Sequence, residues 1–318
     1  TTMNILANDG IANSGKIILE KAGHKVVTET VAQENLIDAI NNENYEVVLV
    51  RSATTVRKEV MDACPNLKMI GRGGVGMDNI DVEYARSKGL HVFNTPAASS
   101  QSVAELVMTQ LFSLVRMTYD ANKEMPVNGA SNFKVLKKKY GKGVELRGKT
   151  LGIIGFGRIG QSVAQYAIGC GMNVVAHDPF VANADIKLSL QGQSVTVSIA
   201  TIGLEELISS SDFISIHVPK QADGSAVIGA AELAKMQDGA YLVNIARGGV
   251  INESDLLAAL DSGKVAGCAL DVFENEPTPN DALLKHSKIA STPHVGAATL
   301  EAQDRIGEEL ANFIIAHR

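Results

Sequence analysis

The sequence predicts an α/β protein built from two doubly wound parallel sheets. Strand and helix patterns alternate from Asn4 to Phe93, and a second alternating series begins at Lys149. A glycine-rich turn, Gly155 to Gly160, follows the first strand of that second series. Such alternation is typical of parallel sheets covered by helices on both faces.

The first series predicts an open sheet of the flavodoxin-like kind. Its short apolar runs indicate buried parallel strands at Asn4–Ala7, Lys25–Val27, Val47–Val50, Leu67–Ile70 and His91–Phe93. Helical periodicity between them predicts helices at Ser14–Lys21, Glu34–Asn41, Arg57–Ala63 and Val82–Lys88. Gly23 and Gly89 are predicted to follow helix ends, because glycine readily adopts the left-handed conformation found there.

The middle of the chain predicts a long helix and an arm. Ser102–Met117 is apolar with helical spacing and leads out of the first series. Residues 118–148 lack clear periodicity and contain Pro126 and the Lys137–Lys139 run. We expect an exposed, partly helical arm there.

The second series predicts another parallel sheet. Its strands are expected at Leu151–Ile154, Val174–His177, Phe213–His217, Tyr241–Ile245, Gly267–Asp271 and Lys288–Ser291. Alternating apolar residues at Ala184–Ala200 indicate a hairpin, and Thr299–His317 has the pattern of a final amphipathic helix.

Composition excludes several classes of function. Apolar residues make up 45% of the 318 residues, charged residues make up 20%, and the net charge of −6 argues against a nucleic-acid surface. No apolar run is long enough to span a bilayer. The three cysteines are too far apart for a metal motif, and so sparse a count fits reduced thiols. We therefore expect a cytoplasmic protein without a metal site and without nucleic-acid or membrane partners.

The glycine turn predicts a dinucleotide site. In Gly155-Phe-Gly157-Arg-Ile-Gly160, the first glycine permits a tight turn, the second lets a pyrophosphate approach, and the third lets helix and strand pack closely. Asp178 follows the next strand at about the distance that a ribose contact requires. A flexible loop is the alternative, but the flanking strand and helix patterns favour a Rossmann domain.

Three residues at strand ends of the second series are candidates for catalysis. Arg247 precedes two glycines that leave room for a small ligand, and its guanidinium can hold a carboxylate through two parallel bonds. A structural salt bridge is the alternative role for Arg247. His294 is the best candidate among seven histidines for a general acid/base, with Glu276 as its natural partner. Glu276 alone would be unremarkable, and His177 and His217 are first expected to pack.

Six motifs together resemble one family along essentially the whole chain. They are Gly155–Gly160, His177-Asp178-Pro179, His217-Val-Pro219, Asn244-Ile-Ala-Arg247-Gly-Gly249, Asp271-Val-Phe-Glu-Asn-Glu276-Pro277 and Pro293-His294-Val-Gly-Ala297. The chain resembles the D-isomer-specific 2-hydroxyacid dehydrogenases. This resemblance implies a dinucleotide-binding domain at 98–291, inserted into a flavodoxin-like substrate domain formed by 1–97 and 292–318.

The resemblance also implies roles for individual residues. Arg247 would bind the substrate carboxylate, His294 would exchange the C2 hydroxyl proton, and Glu276 would pair with His294. NAD is the implied cofactor, because a carboxylate at Asp178 would repel the 2′-phosphate of NADP. Its implied contacts are Gly155, Gly157, Arg158, Ile159, Gly160, Asp178, Pro179, His217, Val218, Pro219, Ile245, Ala246, Asp271, Gly296 and Ala297.

Within the family, the chain most resembles members that oxidise 3-phospho-D-glycerate in serine biosynthesis. The cationic Arg51 and Arg72 suit a phosphorylated substrate. The implied substrate contacts are Arg51, Ser52, Arg72, Gly73, Gly74, Val75 and Lys137, the last from a neighbouring subunit. A solvated charge run is an equally good account of Lys137–Lys139. The arm lacks the tryptophan of many relatives. Because the chain ends at Arg318, we expect a short form without serine feedback through a regulatory domain.

Two other functions remain open at this point. One is a reductase of hydroxypyruvate, glyoxylate or another 2-keto acid. The other, more remote, is an NAD(H)-sensing scaffold, since corepressors share this fold and its catalytic residues. Such scaffolds usually carry disordered tails, which we do not expect in this protein. The Ser102–Met117 helix and the arm are where family members pair, so a homodimer is expected.

Overall fold

The computed structural model describes every residue from Thr1 to Arg318. The chain divides into two compact units, and each is an α/β unit with its own sheet. Unit 1 comprises Thr1–Ser102 and Ala297–Arg318, and unit 2 comprises Val103–Gly296. The assignment of substrate binding to one unit and of dinucleotide binding to the other stays a prediction.

The chain contains thirteen strands and thirteen α-helices. The strands are β1 Asn4–Ala7, β2 Lys25–Val27, β3 Val47–Val50, β4 Met69–Arg72, β5 His91–Asn94, β6 Thr150–Ile154, β7 Asn173–His177, β8 Asn183–Leu190, β9 Gln193–Ala200, β10 Phe213–Ile216, β11 Ala240–Asn244, β12 Val265–Leu270 and β13 Ile289–Ser291. The helices are α1 Asn13–Lys21, α2 Leu36–Asn42, α3 Lys58–Ala63, α4 Val82–Ser87, α5 Ser100–Arg116, α6 Thr118–Asn128, α7 Phe133–Tyr140, α8 Arg158–Gly169, α9 Leu204–Ser210, α10 Ala230–Lys235, α11 Glu253–Asp261, α12 Asp281–Leu284 and α13 Leu300–Ala316.

Unit 1 is a five-stranded sheet with the strand order β2-β1-β3-β4-β5. All of its neighbouring strands are parallel, and the order is that of a flavodoxin-like fold. The final helix α13 packs against α1, where a Cβ on Gly15 would lie 2.4 Å from the carbonyl oxygen of Gly307. Only glycine allows this close approach. The rings of Phe93 and Phe313 stack 3.9 Å apart and join β5 to α13.

Strand β4 differs from its predicted position. It begins at Met69, because the amide of Leu67 instead donates to the Cys64 carbonyl in a turn at 3.2 Å. It also continues to Arg72, which pairs with Val50 of β3. Arg72 therefore belongs to the carboxyl end of a strand that was predicted to stop at Ile70.

Unit 2 is a six-stranded parallel sheet with the order β13-β12-β11-β10-β6-β7. Its core is formed by the apolar residues of the central strands and the helices that cover them. From β6 the chain runs to β7 on one side and then returns to β10 on the other. Open α/β sheets bind ligands at such a switch point, outside the carboxyl ends of the strands.

Two segments of unit 2 lie outside that sheet. The predicted hairpin is present as the antiparallel pair β8 and β9. The arm at 118–148 is more helical than expected, since it holds α6 and α7. Pro126 lies inside α6, which ends two residues later; proline cannot donate the backbone bond that a helix interior needs. None of the thirteen helices is both long and apolar enough to cross a membrane.

Candidate active site

The glycine turn lies between β6 and α8, and its backbone geometry requires glycine. Gly155 has a φ of +92°, and a Cβ there would lie 2.2 Å from the carbonyl oxygen of His217. A Cβ on Gly160 would lie 2.2 Å from the oxygen of Gly155. By contrast, nothing stands within 4 Å of the Cβ position of Gly157. The turn is therefore tightly packed on one side and open on the other.

The start of α8 fits a bound anion. Gly157 has no side chain to cap the helix, and the first turn contains no acidic residue. The amides of Arg158 and Ile159 belong to the first helical turn, whose N–H groups have no partner within the helix. These donors and the helix dipole favour a negative group beside the bare backbone of Gly157. The turn fits the pyrophosphate of a dinucleotide.

Asp178 holds the glycine turn from the end of β7. One carboxylate oxygen accepts from the amide of Phe156, and the other accepts from the amide of Phe180, both at 2.8 Å. A carboxylate oxygen can accept more than one bond, so Asp178 can also accept a ribose hydroxyl. Pro179 follows Asp178 directly and is exposed.

His217 follows β10 and is partly buried, with its ring nitrogen Nδ1 shielded from solvent. Its Nε2 lies 2.7 Å from the Ser215 hydroxyl, while its Nδ1 has no hydrogen-bond partner. Burial lowers the pKa of His217 to about 4. The imidazole packs, as predicted from the residues, and its backbone carbonyl faces Gly155. Val218 and Pro219 extend this loop towards solvent.

The Arg247 loop follows β11 and is shaped by Asn244. The Asn244 side chain accepts from the amide of Ala246 and donates to the carbonyl of Arg247, both at 3.0 Å. The guanidinium of Arg247 donates to the carbonyl of Ala246 at 2.8 Å. These bonds fix the direction in which the Arg247 side chain leaves the loop, beside the buried Ile245.

Glu276 and His294 form a hydrogen-bonded pair. His294 Nδ1 lies 2.7 Å from one Glu276 carboxylate oxygen, and the other accepts from the amide of Phe273 at 3.0 Å. Because a carboxylate oxygen accepts, Nδ1 carries the proton and Nε2 is left for exchange with a ligand. Both side chains are partly exposed, at 46% for His294 and 34% for Glu276. The structure thus brings together the predicted acid/base and its predicted partner.

Asp271 holds the loop that carries His294. Its carboxylate is buried and accepts from the hydroxyl of Thr292 and the amides of Val295 and Gly296, at 2.7 to 2.9 Å. His294 lies inside this loop with a φ of +54°. Such a conformation costs energy for a residue other than glycine and is kept only where neighbouring contacts hold it. Sequence reasoning placed Asp271 near the cofactor and did not detect this second role.

The predicted substrate residues of unit 1 lie at the ends of β3 and β4. Arg51 follows β3, and its amide donates to Asp9 at 2.7 Å. Asp9 also accepts from the amide and hydroxyl of Thr54, at 3.0 and 2.5 Å, so it fixes the loop that contains the exposed Ser52. Asp9 was missed, although an acid two residues after the end of β1 is a detectable signal.

The loop after β4 is held by its own set of bonds. Arg72 donates to the carbonyl of Gly73 at 2.5 Å. The amide of Gly74 donates to Thr95 at 2.8 Å, and Gly74 has a φ of +146°. Val75 is 40% exposed.

The lysines of the Lys137–Lys139 run differ in their contacts. Lys139 pairs with Asp120 at 3.1 Å within α6 and α7, whereas Lys137 is exposed on α7. Lys139 is therefore engaged inside its own arm, and only the rest of the run can serve another site.

Known proteins show the same organisation. Residues 108–296 match the family model for the NAD-binding domain of D-isomer specific 2-hydroxyacid dehydrogenases. A hydroxypyruvate reductase of Thermotoga maritima is 40% identical over 94% of this chain and 92% of its own length. A D-3-phosphoglycerate dehydrogenase of Archaeoglobus fulgidus is 38% identical over 98% of this chain, which spans 57% of that relative.

One similar solved structure contains a bound cofactor. The NAD⁺-bound 3-phosphoglycerate dehydrogenase of Entamoeba histolytica superimposes with a TM-score of 0.77 and 28% identity, over 99% of this chain and 95% of its own. The matched domain is an NAD-binding domain, and its glycine turn and uncapped helix start fit that cofactor. The chain therefore belongs to the NAD-dependent D-isomer-specific 2-hydroxyacid dehydrogenases.

Proposed function

We propose that the enzyme oxidises 3-phospho-D-glycerate to 3-phosphohydroxypyruvate, the first step of the phosphorylated route to serine. One observation carries the choice of a phosphorylated substrate. Val50 and Arg72 are paired residues at the carboxyl ends of β3 and β4, and Arg51 follows Val50 directly. Two guanidinium groups therefore belong to residues at neighbouring strand ends of unit 1, and their positive charges would favour a phosphate dianion.

The reaction removes a hydride from C2 of the hydroxy acid and a proton from its C2 hydroxyl group. NAD supplies the hydride acceptor. His294 takes the hydroxyl proton on Nε2, since Nδ1 is committed to Glu276, and protonated His294 returns it in the reverse reaction. Arg247 binds the carboxylate and stabilises negative charge that develops on the C2 oxygen. Glu276 keeps the imidazole in one tautomer and orientation.

The remaining predicted residues would bind the two ligands. We propose that Gly155, Gly157, Arg158, Ile159 and Gly160 hold the pyrophosphate and that Asp178 holds the adenosine ribose. Further NAD contacts are proposed for Pro179, His217, Val218, Pro219, Ile245, Ala246, Asp271, Gly296 and Ala297. Ser52, Gly73, Gly74 and Val75 would add polar and backbone contacts to the substrate.

The second candidate function is reduction of hydroxypyruvate, glyoxylate or another 2-keto acid without a phosphate. The Thermotoga maritima relative favours it, because that protein is matched over nearly its whole length and is a hydroxypyruvate reductase. The phosphoglycerate dehydrogenases of Archaeoglobus fulgidus and Methanocaldococcus jannaschii match about equally well in identity but are longer. The two functions share the same chemistry and differ only in whether a phosphate is recognised.

We further propose a homodimer that pairs through α5 and the arm. Six large apolar side chains are exposed there, with exposed fractions from 39% to 76%, namely Phe112, Met125, Val127, Phe133, Val135 and Val144. A cluster of this kind marks an interaction surface. We propose that the exposed Lys137 would contact the partner's substrate in such a dimer.

A substrate comparison tests the proposed function. NADH loss is followed with phosphohydroxypyruvate, hydroxypyruvate and glyoxylate at matched concentrations, and kcat/KM is determined for each. The proposal expects the phosphorylated keto acid to have the highest kcat/KM. An equal or higher value for hydroxypyruvate or glyoxylate would establish the second candidate instead.

A further inference from the structure

Two loops of the candidate active site are joined by a reciprocal pair of hydrogen bonds. The amide of Glu274 donates to the Glu253 carboxylate at 2.8 Å. In return, the amide of Glu253 donates to the Glu274 carboxylate at 3.1 Å. Glu253 begins α11, just after the Arg247 loop, and Glu274 lies between β12 and Glu276. The two residues are distant in sequence, so their bonds fasten one loop to the other.

The two carboxylates lie in different environments. Glu253 is buried, with 6% of its surface exposed, whereas Glu274 is exposed. Burial raises the pKa of Glu253; the amide of Glu274 opposes the rise, and the Glu274 carboxylate adds to it. A buried carboxyl group is costly unless it is hydrogen-bonded. The amide of Glu274 supplies the bond that Glu253 needs.

The loops also touch through their backbones. A Cβ on Gly248 would lie 1.8 Å from the carbonyl oxygen of Phe273 and 3.0 Å from the amide nitrogen of Glu274. Gly248 follows Arg247 directly. The glycine therefore brings the Arg247 loop against the peptide group between Phe273 and Glu274, whose N–H donates to the Glu253 carboxylate.

From this junction a short series of bonds leads to His294. The amide of Phe273 donates to one Glu276 oxygen, and the other Glu276 oxygen accepts from His294 Nδ1. Fixing the backbone at 273–274 therefore fixes the base of the turn that carries Glu276. A displacement of about 1 Å in a catalytic group costs roughly a hundredfold in rate.

We propose that Glu253 is a positioning residue that holds the Glu276 turn against the Arg247 loop. Glu253 forms its hydrogen bonds with Glu274 and not with Glu276 or His294, so it acts through the backbone of Phe273 and Glu274. This inference rests on the proposed roles of Glu276 and His294 and adds to them the residue that sets their position.

The test compares Glu253→Ala with Glu253→Gln, whose amide oxygen can still accept from Glu274. The readouts are single-turnover NADH oxidation with phosphohydroxypyruvate or hydroxypyruvate, NADH affinity by fluorescence, and the downfield proton resonance of the His294 Nδ1–H bond. We expect E253A to slow the single turnover by roughly tenfold to a hundredfold, with unchanged NADH affinity and a lost or shifted resonance. E253Q should restore both the rate and the resonance.

Three further variants complete the design. Glu232→Ala is the matched control. It removes a similar bond, in which the amide of Gly229 at the start of α10 donates to the Glu232 carboxylate, and it should leave the rate and resonance unchanged. Glu274→Ala alters only an exposed side chain, removes one of the two reciprocal bonds, and should slow the single turnover by a few-fold. If E253A fails to fold, Glu253→Asp decides the question, because its shorter side chain draws the carboxylate away from the amide of Glu274.

The outcomes separate this inference from the proposed function. Wild-type rate and resonance in E253A, or in E253D where E253A does not fold, would overturn the positioning role. If Glu276→Gln itself kept the wild-type rate and resonance, the proposed role of Glu276 would fail first. A slow E276Q together with a fast E253A would reject only the positioning role of Glu253.

Discussion

His294 donates its Nδ1 proton to Glu276, although its backbone adopts a conformation that residues other than glycine rarely take. Asp271 maintains this arrangement by accepting hydrogen bonds from the residues on both sides of His294. The imidazole is thus constrained through its ring by Glu276 and through its backbone by Asp271. This double constraint is expected at a site where one nitrogen must meet a substrate in a fixed direction.

Replacing His294 by alanine should remove the group that exchanges the C2 proton. We expect His294→Ala to lower kcat by roughly 10²–10⁴-fold, the usual contribution of a positioned acid/base. NADH affinity should stay the same, because the glycine turn is untouched. Steady-state kinetics and a fluorescence titration measure the two quantities. Turnover at the wild-type rate would reject the acid/base role.

Replacing Arg247 by lysine should show whether substrate binding needs the two parallel hydrogen bonds of a planar guanidinium. An ammonium group cannot make two parallel bonds to a carboxylate, so we expect Arg247→Lys to lower kcat/KM by about tenfold to a hundredfold. The measurement is kcat/KM for the preferred keto acid, with NADH affinity as the control. An unchanged kcat/KM would exclude bidentate binding by Arg247.

Asp178 should set the preference for NAD over NADP. Its carboxylate is held at the glycine turn by the amides of Phe156 and Phe180, and a negative charge there repels a 2′-phosphate. We expect Asp178→Asn to raise kcat/KM with NADP relative to NAD by about tenfold, as one removed charge repulsion near the surface would do. The asparagine of this variant keeps one side-chain oxygen, which can still accept from the amide of Phe156 or Phe180. An unchanged ratio of kcat/KM with NADP to kcat/KM with NAD would show that a group other than Asp178 selects the cofactor.

Much of the fold could be predicted because its strands are short apolar runs with clear ends. Val47–Val50, buried on both faces, has the bounds expected from the sequence. Leu67 misled the prediction, since it is as apolar as the strand that follows but closes a turn with Cys64. Periodicity reports burial, and a buried turn residue looks like a strand residue.

The candidate site was predictable in its residue types and less so in its connections. Glycines, a histidine and an arginine at strand ends carry local signals for a ligand site. The bonds between Glu253 and Glu274 join residues that are 21 positions apart and follow no local pattern. Glutamates near turns are usually solvated, so only the folded chain shows that Glu253 is buried.

Arg51 should distinguish a phosphorylated substrate from an unphosphorylated one. We expect Arg51→Ala to lower kcat/KM for phosphohydroxypyruvate by about tenfold to a hundredfold, as the loss of a charge-assisted bond would do. The kcat/KM for hydroxypyruvate should stay nearly unchanged. Arg57→Ala is the matched control, because Arg57 also belongs to unit 1 but pairs with Asp81 at 3.1 Å. An equal loss of kcat/KM for both keto acids would show that Arg51 does not recognise the phosphate.

His217 should make the stability of the protein depend on pH. Burial lowers its pKa in the folded chain to about 4 from an ordinary 6.5, so the unfolded chain binds the proton more readily. The stability that depends on a neutral His217 is complete above pH 6.5 and is lost as the pH falls towards 4. Over that range the loss amounts to about 3 kcal/mol.

His217→Gln removes this titration and keeps a side chain that can bond Ser215. Free energies of unfolding from urea denaturation should therefore fall less steeply for the variant between pH 6.5 and 4. Above pH 7 the difference between the two proteins should be constant, which serves as an internal control. Parallel curves for wild type and variant across the acidic range would show that the buried imidazole does not resist protonation.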